Sequence, residues 1–119
     1  MGQITFKTGT ITFKGGTVTF KSEGPVATPT VFDTYWTPTP GTLYFTVRNN
    51  DSLSARIWTR VQGGSWVDRE IRASGFELEI NMAFPDPGFY PYEIIVDAYA
   101  SISGRTDSGI GTDSYTITE

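Results

Sequence analysis

The sequence predicts an all-β protein, with an N-terminal three-stranded β-meander followed by an antiparallel β-sandwich. Three observations carry that expectation. The first 21 residues state one seven-residue unit three times. The rest alternates short strand-like segments with turns drawn from 13 Gly and 7 Pro. Aromatic residues make up 14 % of the chain, and no stretch is built from strong helix formers. At 119 residues the chain can bury one core without covalent staples. The two units fall at residues 1–22 and 23–119.

The repeat comes first. Gln3-Ile4-Thr5-Phe6-Lys7, Thr10-Ile11-Thr12-Phe13-Lys14 and Thr17-Val18-Thr19-Phe20-Lys21 are separated by Thr8-Gly9 and Gly15-Gly16. Alternate residues of a strand face opposite sides. Ile4, Phe6, Ile11, Phe13, Val18 and Phe20 therefore share one face, and threonines and lysines share the other. Two-residue connections containing Gly suit tight hairpins. The expected register sets Phe6 opposite Ile11, Phe13 opposite Val18 and Ile11 opposite Phe20. Six large apolar side chains form a patch of roughly a few hundred Å², the size of an interface. Three ways of covering it stay open: the repeat's own sandwich, a partner protein or lattice, or sister chains stacked in an intertwined spike.

Ser22-Glu23-Gly24-Pro25 breaks the repeat and reads as a linker. Residues 26–32 are a candidate first strand, interrupted by Pro29, and Thr37-Pro38-Thr39-Pro40-Gly41 is a stiff turn. Leu43, Phe45 and Val47 alternate with Tyr44, Thr46 and Arg48, the pattern of a half-buried strand. Asn49-Asn50-Asp51-Ser52 is a loop. Residues 55–62 and 65–72 flank Gly63-Gly64 as a hairpin. Phe76, Leu78 and Ile80 alternate with Glu77, Glu79 and Asn81. Phe84-Pro85-Asp86-Pro87-Gly88 turns a corner. Tyr92, Ile94, Val96 and Ala98 then face one way, and Glu93, Ile95, Asp97 and Tyr99 the other. Residues 103–112 form a Gly- and Ser-rich loop before a last strand at 114–118.

Composition removes whole classes of chemistry. With no Cys and no His, disulfides, thiol nucleophiles, a near-neutral proton shuttle and a zinc site are all excluded as expectations. Net charge is −4. Residues 1–22 hold Lys7, Lys14 and Lys21 and no acid, giving +3. The remainder holds six Arg and thirteen acids, giving −7. An acidic body argues against a nucleic-acid partner. No segment reads as a secretion signal or a membrane span, so no membrane partner is expected.

Each remaining candidate has a plainer role beside its functional one. Asp107-Ser108-Gly109-Ile110-Gly111-Thr112-Asp113 offers oxygen ligands, but its spacing fits no standard calcium loop and reads as a solvated connection. Glu77 and Glu79 form an i, i+2 pair on an outward face rather than a catalytic pair. Asn50-Asp51-Ser52 has the form of a glycosylation acceptor and is taken as chance. Tyr35, Trp36, Trp58 and Trp66 can serve as surface or ligand contacts, for sugars or for proteins, or as ordinary core. No cofactor, metal or catalytic residue is expected.

Pro87-Gly88 followed by Tyr92-x-Ile94-x-Val96-x-Ala98, then Gly104 and Ser108, resembles the penultimate strand of fibronectin type III and related immunoglobulin-like modules. The segment from Trp58 to Trp66 resembles the strand pair before it. The likeness covers residues 40–118 and implies an immunoglobulin-like sandwich in which Tyr92 bonds back to the backbone at a corner. It departs from fibronectin type III modules in having no Trp within residues 43–47. A Cys-free, His-free chain of this kind with a repetitive β-arm also resembles phage virion accessory proteins, such as capsid decoration or cement proteins and tail-associated modules. That resemblance implies a non-enzymatic structural protein in the virion. Its partners are then a capsid or tail lattice, sister chains, or both. The alternative is a carbohydrate- or surface-binding adhesin module.

Overall fold

Alternating apolar residues can bury only one face of a strand, so two sheets must close on each other. A computed structural model of the chain describes residues 9–13, 16–20 and 24–118. Among them are nine strands and no helix: β1 (Gly9–Phe13), β2 (Gly16–Phe20), β3 (Thr30–Pro38), β4 (Gly41–Arg48), β5 (Ala55–Val61), β6 (Val67–Arg72), β7 (Glu77–Ala83), β8 (Tyr92–Ser101) and β9 (Gly111–Ile117). They form a β3-β4-β7 sheet, a β6-β5-β8-β9 sheet and a separate two-stranded β1-β2 sheet, all antiparallel.

The core lies between the two larger sheets. Leu43, Phe45 and Val47 of β4 face Ile57 of β5 and Ile94, Val96 and Ala98 of β8, all buried, with Ile80 of β7 beside them. These are the alternating positions expected of β4 and β8. Phe76 departs from the expectation. It precedes β7 rather than belonging to it and is exposed, with the Arg72 guanidinium 5.6 Å from its ring centre.

Two bulges change what the alternation predicts. In β3, Phe32 pairs with Thr46 and Tyr35 with Tyr44, so Asp33 and Thr34 together oppose one residue of β4. Asp33 takes a left-handed φ of 56°. The extra residue resets the parity, and Val31 and Trp36 both face inward. The first sandwich strand therefore runs well past Phe32 and starts after Pro29, correcting the expected 26–32. In β6 the residue pairs are Arg56–Ile71 and Trp58–Asp68, with Glu70 in the bulge at φ 69°. The β5–β6 connection is longer than the expected two residues. Thr59 and Val67 make the last pair, and Gly63 supplies a positive φ within the turn.

One side of the sandwich is closed and the other is open. On the closed side, Thr34 of β3 donates to Asp113 of β9 at 2.6 Å. Gly111 lies so close to the Pro29 carbonyl that a Cβ would collide with it. On the open side, β6 and β7 are the end strands of their sheets and pair with no further strand among the described residues.

The repeats are seen as one hairpin. Ile11 pairs with Val18, Gly9 with Phe20 and Phe13 with Gly16. The expected partners, Phe13 with Val18 and Ile11 with Phe20, are replaced because Gly16 joins the ladder as the first residue of β2. The offset changes by two residues, which preserves the period-2 alternation. The first repeat lies outside the described residues.

Candidate functional site

The residues expected to act together separate into distinct places. Ile4 and Phe6 lie outside the described residues. Ile11, Phe13, Val18 and Phe20 lie on β1 and β2, which pair with each other and with neither larger sheet. Trp36 is not a surface contact. It is only 7 % exposed, and its indole N–H donates to the Phe84 carbonyl at 2.8 Å. Tyr35, 43 % exposed, lies on the outer face of the three-stranded sheet and stacks on Tyr44 at 4.6 Å.

Trp58 and Trp66 do come together, on the outer face of the four-stranded sheet. Strand pairing places Trp58 of β5 opposite Tyr99 of β8, and their rings lie nearly parallel at 6.0 Å. Trp66 approaches Tyr99 edge-on at 4.7 Å. The Arg60 guanidinium sits 4.3 Å from the centre of the Trp66 ring, and its Nε donates to Asp97 at 2.9 Å. Asp97 also accepts from Thr112 at 2.8 Å. Burial, then the nearby charge of Asp107, pushes the Tyr99 phenol above its usual range. The arrangement is a half-covered strip of rings with its charges already paired. It offers aromatic surface and a few hydrogen-bonding groups, the ingredients of contact recognition. Tyr99, Arg60 and Asp97 join the strip because pairing puts them beside Trp58. Their shared parity was visible in the sequence, but the register that joins β5 to β8 was not.

A second polar cluster sits at one end of the sandwich. Asn49 is buried, and its side-chain amide donates to the carbonyls of Leu53, Arg72 and Ala73 while its oxygen accepts from the Asp51 backbone. Asp51 accepts from the backbone N–H of Ala27 and of Leu53 at 3.0 Å each. Arg105 donates to Asp51 and to the carbonyls of Gly24 and Pro25. The Ala27 N–H is the main reason the Asp51 carboxyl titrates below its ordinary range. This cluster fastens the entry of the sandwich, where the repeats join it. Asn50 takes no part in it and donates instead to Thr28 and Thr30.

The other candidates are engaged or isolated. The Glu77 carboxylate is bound by Arg48, whereas the Glu79 carboxylate makes no hydrogen bond or ion pair among the described residues. Asp113 is taken by Thr34. No group of three or more potential metal ligands exists among the described residues. Tyr92 packs edge-on against Phe89, and its hydroxyl makes no hydrogen bond among the described residues, so the expected corner bond is not formed. No helix among the described residues is long and apolar enough to cross a membrane.

No family model, curated protein or solved structure matches the chain.

Proposed function

We propose that this chain is a non-enzymatic structural protein that docks onto a larger assembly through an N-terminal β-arm, residues 1–22, carried by a sandwich of residues 23–119. The observation that supports the reading is the isolation of β1 and β2 in a sheet of their own. A two-stranded sheet is marginally stable alone, and its sequence alternates Ile, Val and Phe with Thr. Such an arm gains most by burying its apolar residues on something else. A few hundred Å² of apolar burial is worth roughly several kcal/mol before ordering costs. Repetition around a particle multiplies that gain.

The strand order supports an immunoglobulin-like reading of the sandwich. One hairpin, a crossing to a second hairpin, a return beside the first and a final crossing give β3-β4-β7 against β6-β5-β8-β9. The core indole that fibronectin type III modules carry on the strand corresponding to β4 is supplied here by Trp36, paired with Leu43 from the neighbouring strand. The immunoglobulin-like architecture and the repetitive arm suit a phage virion accessory protein, of the capsid decoration or cement kind, located in the virion. In the test, particles are isolated from cells producing the full chain or residues 23–119. The full chain is expected on the particles. The shortened chain is expected in the soluble fraction with a cooperative melt. A shortened chain that still binds particles contradicts the reading.

A second reading rests on the Trp58–Tyr99–Trp66 strip. In it the chain is a tail-associated adhesin module and the strip holds a sugar face. Glycan-array binding that is lost in Trp58→Ala supports it.

A further inference from the structure

We infer that the open edge of β7 accepts β2 from a second copy of this chain, joining the hairpin of one molecule to the smaller sheet of the next. The inference rests on the docking role proposed for the repeats and names where they dock. Both edges are free among the described residues. β7 ends the β3-β4-β7 sheet, and β2 ends the β1-β2 sheet. An uncovered edge strand presents a row of unpaired N–H and C=O groups and pairs readily with another chain.

The two edges match in pattern and in charge. Along β7, Leu78, Ile80 and Met82 turn toward the core, and Leu78 and Met82 are only partly covered. Glu77, Glu79 and Asn81 turn outward. The sequence of β2 alternates in the same way, Thr17-Val18-Thr19-Phe20, and Lys21 is the next residue in the sequence. An antiparallel register with Lys21 opposite Glu79 sets Phe20 against Ile80, Thr19 against Asn81 and Val18 against Met82. Apolar residues then extend the core face and the lysine meets an acid. Glu79 is the carboxylate to meet it, because Arg48 already binds Glu77 and no side chain among the described residues binds the Glu79 carboxylate. Opposite charges across a strand pair attract. The arm carries +3 and the remainder −7, so the complementarity extends beyond one pair. The smaller sheet has three strands against four, and an added strand restores the balance.

The absence of native cysteine makes the test direct. Full-length Thr19→Cys and full-length Asn81→Cys are mixed and oxidised, and disulfide-linked heterodimer is measured on a non-reducing gel. Thr19→Cys mixed with Thr116→Cys, on the outer face of β9, is the control. The expected result is heterodimer well above the control, with yield reduced about fivefold by adding Glu79→Lys to the Asn81→Cys chain. Converting Lys7, Lys14 and Lys21 to Glu in the Thr19→Cys chain is expected to restore it. Heterodimer no greater than the control overturns the inference. So does an intramolecular link in a chain carrying both cysteines, which would show the hairpin folding back on its own β7. If full-length chains associate through residues 1–22 without this link, the docking role stands and the β7 edge is not its partner.

Discussion

Arg105 reaches Asp51 across the end of the sandwich, Nη1 to Oδ2 at 3.2 Å, and both side chains are largely buried. The same carboxylate caps the Ala27 and Leu53 backbone amides, so one residue ties the entry segment to two loops. Asp51→Ala leaves the Ala27 and Leu53 amides without their acceptor and takes the carboxylate from Arg105, which keeps the Gly24 and Pro25 carbonyls. It is expected to cost about 2–4 kcal/mol in urea unfolding, since buried donors left unsatisfied carry their desolvation cost.

The same group sets a pH response. Backbone hydrogen bonding by Ala27 holds the Asp51 carboxyl pKa below the ordinary aspartate range. A depressed folded-state pKa stabilises at pH above the unfolded value, and that contribution is lost as pH falls through the folded value. Thermal melts of the native chain are expected to lose stability below about pH 4. Asp51→Asn is expected to flatten that loss while lowering stability at pH 7.

Gly111 lies against the Pro29 carbonyl, with no room for a methyl group. Gly111→Ala is expected to destabilise by about 1–3 kcal/mol, as overpacking against backbone does. Gly75→Ala tests a different cause, because space there is open but φ is 77°. It is expected to cost about 1 kcal/mol through backbone strain alone. Chemical denaturation of the two variants checks both values.

Trp36 and Tyr35 are neighbours in sequence with opposite fates. Trp36→Ala removes a buried indole and its bond to the Phe84 carbonyl and is expected to cost about 3–5 kcal/mol. Tyr35→Ala removes an exposed ring stacked on Tyr44 and is expected to cost about 1 kcal/mol. Equal effects in thermal unfolding would contradict the assignment of Trp36 to the core.

These residues also show how far the sequence could be read. β4 and β8 were legible because their alternation is unbroken from Leu43 to Val47 and from Tyr92 to Ala98. β3 was not, because the residue inserted at Asp33–Thr34 shifts the parity of Trp36 relative to Val31. The length of the β5–β6 turn was hidden by the bulge at Glu70. Asn49 and Asp51 read as loop residues by type. Their burial depends on backbone groups from distant segments, Arg72, Ala73 and Ala27, which local patterns do not reveal. Of the four aromatics singled out, Trp58 and Trp66 share one outer face, while Tyr35 and Trp36 lie elsewhere. Sequence spacing cannot distinguish these outcomes without strand pairing.

Sedimentation velocity of the full chain and of residues 23–119, over a range of concentrations, tests the separability of arm and sandwich most directly. The account predicts a compact monomer for residues 23–119 at every concentration and concentration-dependent association for the full chain. An expanded, unfolded species for residues 23–119, or association unchanged by the deletion, would contradict it.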